Sequence, residues 1–305
     1  MSKKVIITGA TGLIGKNICK KLLLHGDRVI AITRNASKAK NVLPDTIEFF
    51  ECDLNKSACR LTDILEGSFA VIHLAGENIF SKRWTEEHKQ SIYNSRVHST
   101  NTITTAILNT SVKPEVFIGA SAVGYYGLTT ENPADEYSNC GSDFLASLTN
   151  DWESASLELE SAGVRRVIIR TGIVLDKKEG ALSKMITPYK FFLGGPLGSG
   201  KQFFPWIHIE DAAGIFVHAL FNQAMSGIYN AAAPEAINMK EFCTTLGSIL
   251  NRPSIFNVPG FALKLLYGEG ADYLLNGVNV FPKRTEESGY KFKYITSKEA
   301  LSNLL

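Results

Sequence analysis

Thr8-Gly9-Ala10-Thr11-Gly12-Leu13-Ile14-Gly15 is the stretch on which the reading of this chain turns. The apolar run Val5-Ile6-Ile7 precedes it, and Ile14, Ile18 and Leu22 follow at helical spacing, so the glycines stand between a buried strand and an amphipathic helix. Glycine permits a tight turn there and a close approach of backbone to ligand. The backbone N–H groups of the turn and of the first helical residues then face a ligand at the positive end of the helix dipole, an arrangement that receives a pyrophosphate. The spacing is Gly-x-x-Gly-x-x-Gly, looser than Gly-x-Gly-x-x-Gly, and Gly9, Thr11, Gly12, Leu13, Ile14 and Gly15 are the candidate phosphate contacts.

Outward from this turn the same alternation continues. Val29-Ile30-Ala31-Ile32, Ile47-Glu48-Phe49-Phe50, Val71-Ile72-His73-Leu74, Val116-Phe117-Ile118-Gly119 and Val167-Ile168-Ile169 read as strands covered on both faces. Helical spacing lies between them, for example Leu145, Leu148 and Trp152. The predicted fold class is therefore α/β, a doubly wound parallel sheet. After about Thr171 the alternation breaks at a Gly/Pro-rich passage, Gly194 to Pro205, followed by a helix over Asp211 to Phe221. Asn238 with Glu241 three residues on caps a further helix with an apolar face of Phe242, Leu246, Ile249 and Leu250. We expect a nucleotide-binding domain over 1–230, with excursions to a C-terminal lobe around 172–205, and the small lobe itself over 231–305.

Lys+Arg 32 against Asp+Glu 30 leaves a net charge of +2, too balanced for the electrostatic footprint of a nucleic-acid binder. Cys19, Cys52, Cys59, Cys140 and Cys243 are odd in number and contain no Cys-x-x-Cys pair, which predicts ordinary reduced thiols and no metal site. The first residues are too short an apolar run for a signal peptide, and no stretch approaches the ~18 apolar residues of a membrane span. The expectation is a soluble cytoplasmic protein with a small-molecule substrate and neither nucleic acid nor membrane as partner.

Which dinucleotide the turn receives is decided at the end of the second strand, where an acid accepts from a ribose 2′-OH and an arginine pairs with a 2′-phosphate. This chain has Thr33-Arg34-Asn35 there, with Ser37 and Lys38 following. A guanidinium makes bidentate contacts to phosphate, so NADP(H) is predicted over NAD(H). Asp53, closing the third strand, is placed to reach the adenine amino group, although a simple cap would look the same. Gly195-Pro196-Leu197-Gly198-Ser199-Gly200-Lys201 fits the spacing of a nucleotide-triphosphate loop, but Gln202 stands where Ser or Thr must bind magnesium, and no strand precedes it. It reads instead as a mobile loop over a substrate pocket, with Lys201 available to an anion.

Thr8 to Gly15, His73-Leu74-Ala75-Gly76 and Ala120-Ser121-Ala122-Val123-Gly124-Tyr125-Tyr126-Gly127 together resemble the extended short-chain dehydrogenase/reductase superfamily. Leu74-Ala75-Gly76-Glu77-Asn78, Arg83-Trp84-Thr85, Asp143-Phe144-Leu145, Trp152-Glu153 and Trp206-Ile207-His208-Ile209-Glu210-Asp211 narrow it to an atypical branch, the "epimerase family protein" group, over nearly the whole chain. The resemblance implies a Rossmann-like sheet of about seven strands with a C-terminal lobe closing over the cofactor. It implies Arg34 on the 2′-phosphate, Asp53 and Leu54 on adenine, Ala75 and Gly76 beside the nicotinamide ribose, and Ser121 as the superfamily's catalytic serine. It also implies a homodimer through the helices of about 86–108 and 143–162.

One departure governs the chemistry. The superfamily places Tyr-x-x-x-Lys on the helix after the fifth strand, where Lys activates the tyrosine and the tyrosine shuttles the proton. The corresponding stretch here is Phe144-Leu145-Ala146-Ser147-Leu148, which carries no proton. Three accounts follow: Tyr125 or Tyr126 donates instead, with Ser121 orienting the reacting oxygen; hydride passes to an acceptor needing little proton assistance; or the protein binds NADP(H) without turnover. A nucleotide-sugar epimerase is a further alternative, weakened by the same loss. Glu77, Asn78, Arg83 and Trp84 follow the fourth strand on the crevice side and are candidate substrate contacts. His208 with Asp211 reads either as a proton relay or as the start of a helix, and His73, inside an apolar run, reads as a packed strand residue.

Overall fold

The computed structural model describes residues 2–56, 60–129 and 132–305. Its strands are β1 (Lys4–Thr8), β2 (Arg28–Thr33), β3 (Glu48–Glu51), β4 (Ala70–His73), β5 (Val116–Ala122), β6 (Arg165–Thr171), β7 (Ile173–Leu175), β8 (Trp206–His208) and β9 (Gly227–Ala231). Among the described residues seven of these form one sheet in the order β3-β2-β1-β4-β5-β6-β9. Every pair in that sheet is parallel. The order reverses between β1 and β4, so a crevice opens at their C-terminal ends, the place where open α/β sheets bind ligands.

The near-continuous apolar runs explain this architecture. Successive side chains alternate faces: Val5 and Ile7 join one core with Val29, Ala31, Ile72, Ile118 and Ile169. Ile6, Ile30, Val71, Phe117 and Ile168 join the other. The helix Leu13–His25 and the helix Ile209–Phe221 cover the first face through Ile18, Leu22, Ala212 and Phe216. Ile103, Ile107 and Leu159 cover the second.

The lobe has a core of its own, built from Leu175, Leu182, Phe204 and Trp206 together with Phe242, Leu246, Ala300 and Leu301. Gly194 to Pro205, read from its glycines as a mobile loop, is instead stitched into this lobe. Phe256 N donates to Gly194 O at 3.1 Å, Val258 N to Pro196 O at 2.9 Å and Gly198 N to Val258 O at 2.8 Å. Gln202, buried, donates to Leu197 O and Leu274 O, both at 3.0 Å. Lys201 is exposed on that stretch.

The thiol reading holds for Cys19, Cys140 and Cys243, which are free. It fails for Cys52, which is disulfide-bonded, while Cys59 lies outside the described residues. No helix among the described residues is long and apolar enough to cross a membrane, and none of them group as a metal site.

Candidate active site

The turn after β1 is shaped by contacts that exclude a Cβ. Gly9 has φ +67°, and a Cβ there would come 2.8 Å from the Leu74 carbonyl. A Cβ on Gly15 would come 2.4 Å from Gly9 O, so the helix Leu13–His25 lies directly against the turn. Thr85, Asp143, His208, Asn238 and Thr296 each cap a helix with a side chain. Gly12, at the N-cap of Leu13–His25, supplies no such bond, and the first turn carries no acid. Its leading N–H groups are thus left for an anion, with Thr11 and Gly12 exposed. The bare helix end and the tight glycine cradle fit a dinucleotide pyrophosphate.

A buried polar chain fixes this turn to the loop after β4. Thr8 Oγ1 accepts from Leu74 N and Ala75 N, both at 3.2 Å, and stands 2.7 Å from His73 Nδ1. His73 Nε2 stands 3.2 Å from Ser99 Oγ, whose hydroxyl donates to Ser95 O at 2.7 Å. Donor counting then puts the ring proton on Nε2 and makes Nδ1 the acceptor. His73 is the packed strand residue the sequence suggested, and burial pushes its imidazole down to about 4. It stays neutral in the fold, whereas an unfolded histidine titrates near 6.5. Stability is therefore full above about pH 6.5 and falls by roughly 3 kcal/mol as pH drops from there toward 4. Urea unfolding across that window should show the loss, and His73→Gln should flatten it.

At the adenosine side, Arg34 is exposed just beyond β2. Asn35 caps the short helix Ala36–Lys40 through Lys38 N at 2.9 Å. Glu51 Oε2 accepts from Ala36 N at 2.9 Å, so a carboxylate from β3 reaches the same turn, which the reading of β2 alone did not include. Asp53 Oδ1 accepts from Asn55 N at 3.1 Å, and Leu54 is buried in the second sheet core.

Beyond β4, Ala75 is half-buried and Gly76 exposed, and Gly76 lies over Arg96, whose Cζ would be 3.3 Å from a Cβ there. Arg96 is a functional candidate the sequence reading missed. It sits in a π-helical turn, Asn94–His98, joining the helices Glu86–Tyr93 and Ser99–Leu108. Its guanidinium donates to Glu77 O at 3.0 Å, and more loosely to Ile92 O at 3.3 Å and Ser95 Oγ at 3.4 Å. No carboxylate within 4.0 Å pairs with it among the described residues, and burial pulls it down to about 10. π-turns collect at functional sites, and a half-buried cation whose neighbouring acid, Glu77, acts from beyond ion-pair distance fits an anionic or hydroxylated ligand.

The four substrate candidates after β4 are engaged with protein. Glu77 accepts from Ser91 Oγ and stands 3.6 Å from His88 Nδ1. Asn78 Oδ1 accepts from Phe80 N at 2.8 Å. Arg83 donates to the carbonyls of Leu265 and Lys264 at the end of the helix Gly260–Tyr267, so its guanidinium is engaged with the lobe. Trp84 is buried and donates to Ile79 O at 2.7 Å, so it packs inside the protein.

The missing acid/base pair is replaced by hydrocarbon. Phe144 begins the helix Phe144–Ser154 and meets Trp84 edge to face at 5.5 Å, while Leu148 is buried with Ile92, Val97 and Trp152. The proton-bearing groups lie one step away, at the ends of β5 and β6. Ser121 donates to Glu153 Oε1 at 2.5 Å, and Glu153 forms a two-pronged ion pair with Arg170 at 2.7 and 2.8 Å. Arg170 Nη1 donates to Tyr126 Oη at 3.2 Å, and Tyr126 donates to Asn230 Oδ1 at 2.7 Å. All five side chains are buried. This corrects two candidates: the Ser121 proton is committed to Glu153, and Tyr126, fully buried with its phenol pushed up to about 12 by burial, is a structural donor. Tyr125 is half-buried, with the Arg170 guanidinium 3.3 Å from its ring centroid. Its ring packs against the cluster of Tyr126, Ala134, Ala232, Val278 and Val280. The relay alternative for His208 is also corrected: its Nδ1 accepts from Glu210 N at 3.0 Å as a helix cap. Asp211 instead receives Tyr290 Oη, Lys293 N and Tyr294 N from the C-terminal segment.

Residues 5–232 match the model of the NAD dependent epimerase/dehydratase family. The chain belongs to that family. Residues 258–304 match a further model described as a domain of unknown function, DUF1731. The chain is similar to the chloroplastic epimerase family protein SDR39U1 homolog of Arabidopsis thaliana, 40% identical over 99% of this chain and 86% of that one. It is 36% identical to the epimerase family protein SDR39U1 of Mus musculus over 99% of each. The crystal structure of human SDR39U1 with NADPH superposes with a TM-score of 0.89 at 32% identity, covering 99% of this chain and 98% of that one. As a member of the epimerase/dehydratase family, the chain has the seven-stranded Rossmann-like sheet that the sequence resemblance implied.

Proposed function

We propose that this chain binds NADP(H) in the β1/β4 crevice and moves hydride between it and a small-molecule substrate without a Tyr-x-x-x-Lys pair. The observation that carries the reading is the bare N-terminus of the helix Leu13–His25 behind a turn where Gly9 and Gly15 admit no Cβ. The human relative's NADPH complex supports the same reading. Gly9, Gly12 and Gly15 would receive the pyrophosphate, Arg34 the 2′-phosphate, and Arg96 an oxygen of the nicotinamide half beside Ala75 and Gly76. When bound, the dinucleotide supplies or receives a hydride at C4 of its nicotinamide. Tyr125 would hold a proton for the reacting oxygen, a reading supported by its ring being seated on the Arg170 guanidinium.

Calorimetry with NADPH and NADH tests the cofactor. Wild-type protein should prefer NADPH, and Arg34→Ala should weaken NADPH by about tenfold or more, the worth of a charge-assisted contact, while leaving NADH within twofold. Equal affinities in the wild type, or an Arg34→Ala chain with unchanged preference, would overturn the assignment. The closed Ser121–Glu153–Arg170–Tyr126 cluster favours a second reading, an NADP(H)-responsive binding protein. Tight NADPH binding with no oxidation across carbonyl and nucleotide-sugar panels would select it. A nucleotide-sugar epimerase is the weaker alternative, because Phe144 and Leu148 leave no acid/base on that helix.

A further inference from the structure

The lobe carries an outward face that the cofactor site does not use. Phe191, Phe192 and Leu193 end the helix Gly180–Lys190 and are exposed by 69%, 55% and 55%. Beside them lie Ile255 and Phe256, exposed by 71% and 48% and joined through the bond from Phe256 N to Gly194 O. Exposed side chains of this size gathered on two stitched segments make a patch rather than a scatter.

Two independent features say what covers it. The first is charge: the sequence holds no Asp or Glu from 180 to 209 or from 242 to 268, Lys184 and Lys190 are exposed on the helix that leads into Phe191, and Arg252 is exposed, while Lys264 further along is paired with Asp272 at 3.1 Å. Arg252 stands 4.5 Å over the Phe192 ring. The second is backbone strain. Phe192 has φ +61° at the position after the helix end where glycine is favoured, with its N–H on Tyr189 O and that of Leu193 on Pro188 O, both at 3.0 Å. A bulky residue held there with its ring in water is kept at the expense of the fold.

We propose that this face docks on an anionic bilayer surface, with Phe191, Phe192 and Ile255 entering the headgroup region and the lysines and Arg252 meeting lipid phosphates. The proposal departs from the sequence expectation of no membrane partner, which rested on the lack of a spanning run. A second copy of the chain is a poorer occupant, because a self-complementary contact brings the same cations face to face.

The test is co-sedimentation of the full chain with phosphatidylcholine vesicles, with and without phosphatidylserine. Binding is expected to the anionic vesicles, weakened by salt. Lys190→Glu with Arg252→Glu should weaken it by about tenfold or more. Phe192→Gly is the sharper variant: it relieves the strained backbone, so the melting temperature should hold or rise while vesicle binding falls. No binding to anionic vesicles, equal binding to neutral ones, or full binding by Phe192→Gly would overturn the proposal. So would self-association in solution that Phe192→Gly abolishes.

Discussion

Arg170→Met, with Glu153 left in place, is expected to cost about 3–5 kcal/mol of stability in urea unfolding, because it strands a buried carboxylate. Glu153 is hydrogen-bonded by Ser121 and Arg170, and both partners of the pair are almost fully buried, with side-chain exposures of 8% and 3%. Solvent screening therefore offers little relief, and the pair cannot be discounted as a surface bridge would be. Glu153→Gln should cost less than Arg170→Met, since an amide oxygen still accepts from Ser121. Combining Glu153→Leu with Arg170→Met should cost less than the sum of the two single changes, as removing both charges together leaves neither unpaired. Additive losses would show that the two groups are not coupled in solution. A reading beyond stability comes from Tyr125: with the guanidinium gone from its ring, the phenol loses its seat.

The second large effect lies at the turn. Gly15→Ala pushes a methyl against the Gly9 carbonyl and the Ala10 backbone, atoms that have no flexible end to move. The start of the helix Leu13–His25 must shift outward, with an overpacking cost of about 1–3 kcal/mol. The same shift withdraws the N–H groups from the phosphate, and NADPH affinity should fall by about 10- to 100-fold, or about 1.4 kcal/mol for each tenfold. Gly9→Ala should be worse, since it adds a left-handed φ to its clash with Leu74. A Gly15→Ala chain that binds NADPH like wild type, by calorimetry, would show that this turn does not hold the phosphates.

What the sequence made legible and what it hid divide along the range of the interactions. Strands covered on both faces announce themselves in a few contiguous residues, so Val5-Ile6-Ile7 and Val167-Ile168-Ile169 fell where β1 and β6 lie. β5 ran past its apolar stretch to Ala122, because Ser121 and Ala122 pair with Arg170 and Thr171 across the sheet and need no hydrophobic signal to do so. The glycine turn and the loss of Tyr-x-x-x-Lys were local and readable. Glu153 and Arg170 were not: 17 positions separate them, and the charged residue inside the apolar strand Arg165–Thr171 was the available hint. Arg83 is spent on a helix end about 180 residues later, which no local pattern records. The glycines of Gly194 to Pro205 suggested freedom because composition is blind to the strand-like bonds that residues 254–258 supply.

The interior of the lobe has a consequence for how the two family matches should be understood. One match ends at residue 232 and the other begins at 258, yet Phe204 and Trp206 from the first share one interior with Phe242 and Leu246 from the segment between and with Leu301 from the second. A chain ended between them would leave an indole and a phenyl ring without cover, and the detached remainder would have half an interior to fold around. The seam between the two matches therefore marks kinship of sequence and not a line along which the molecule comes apart.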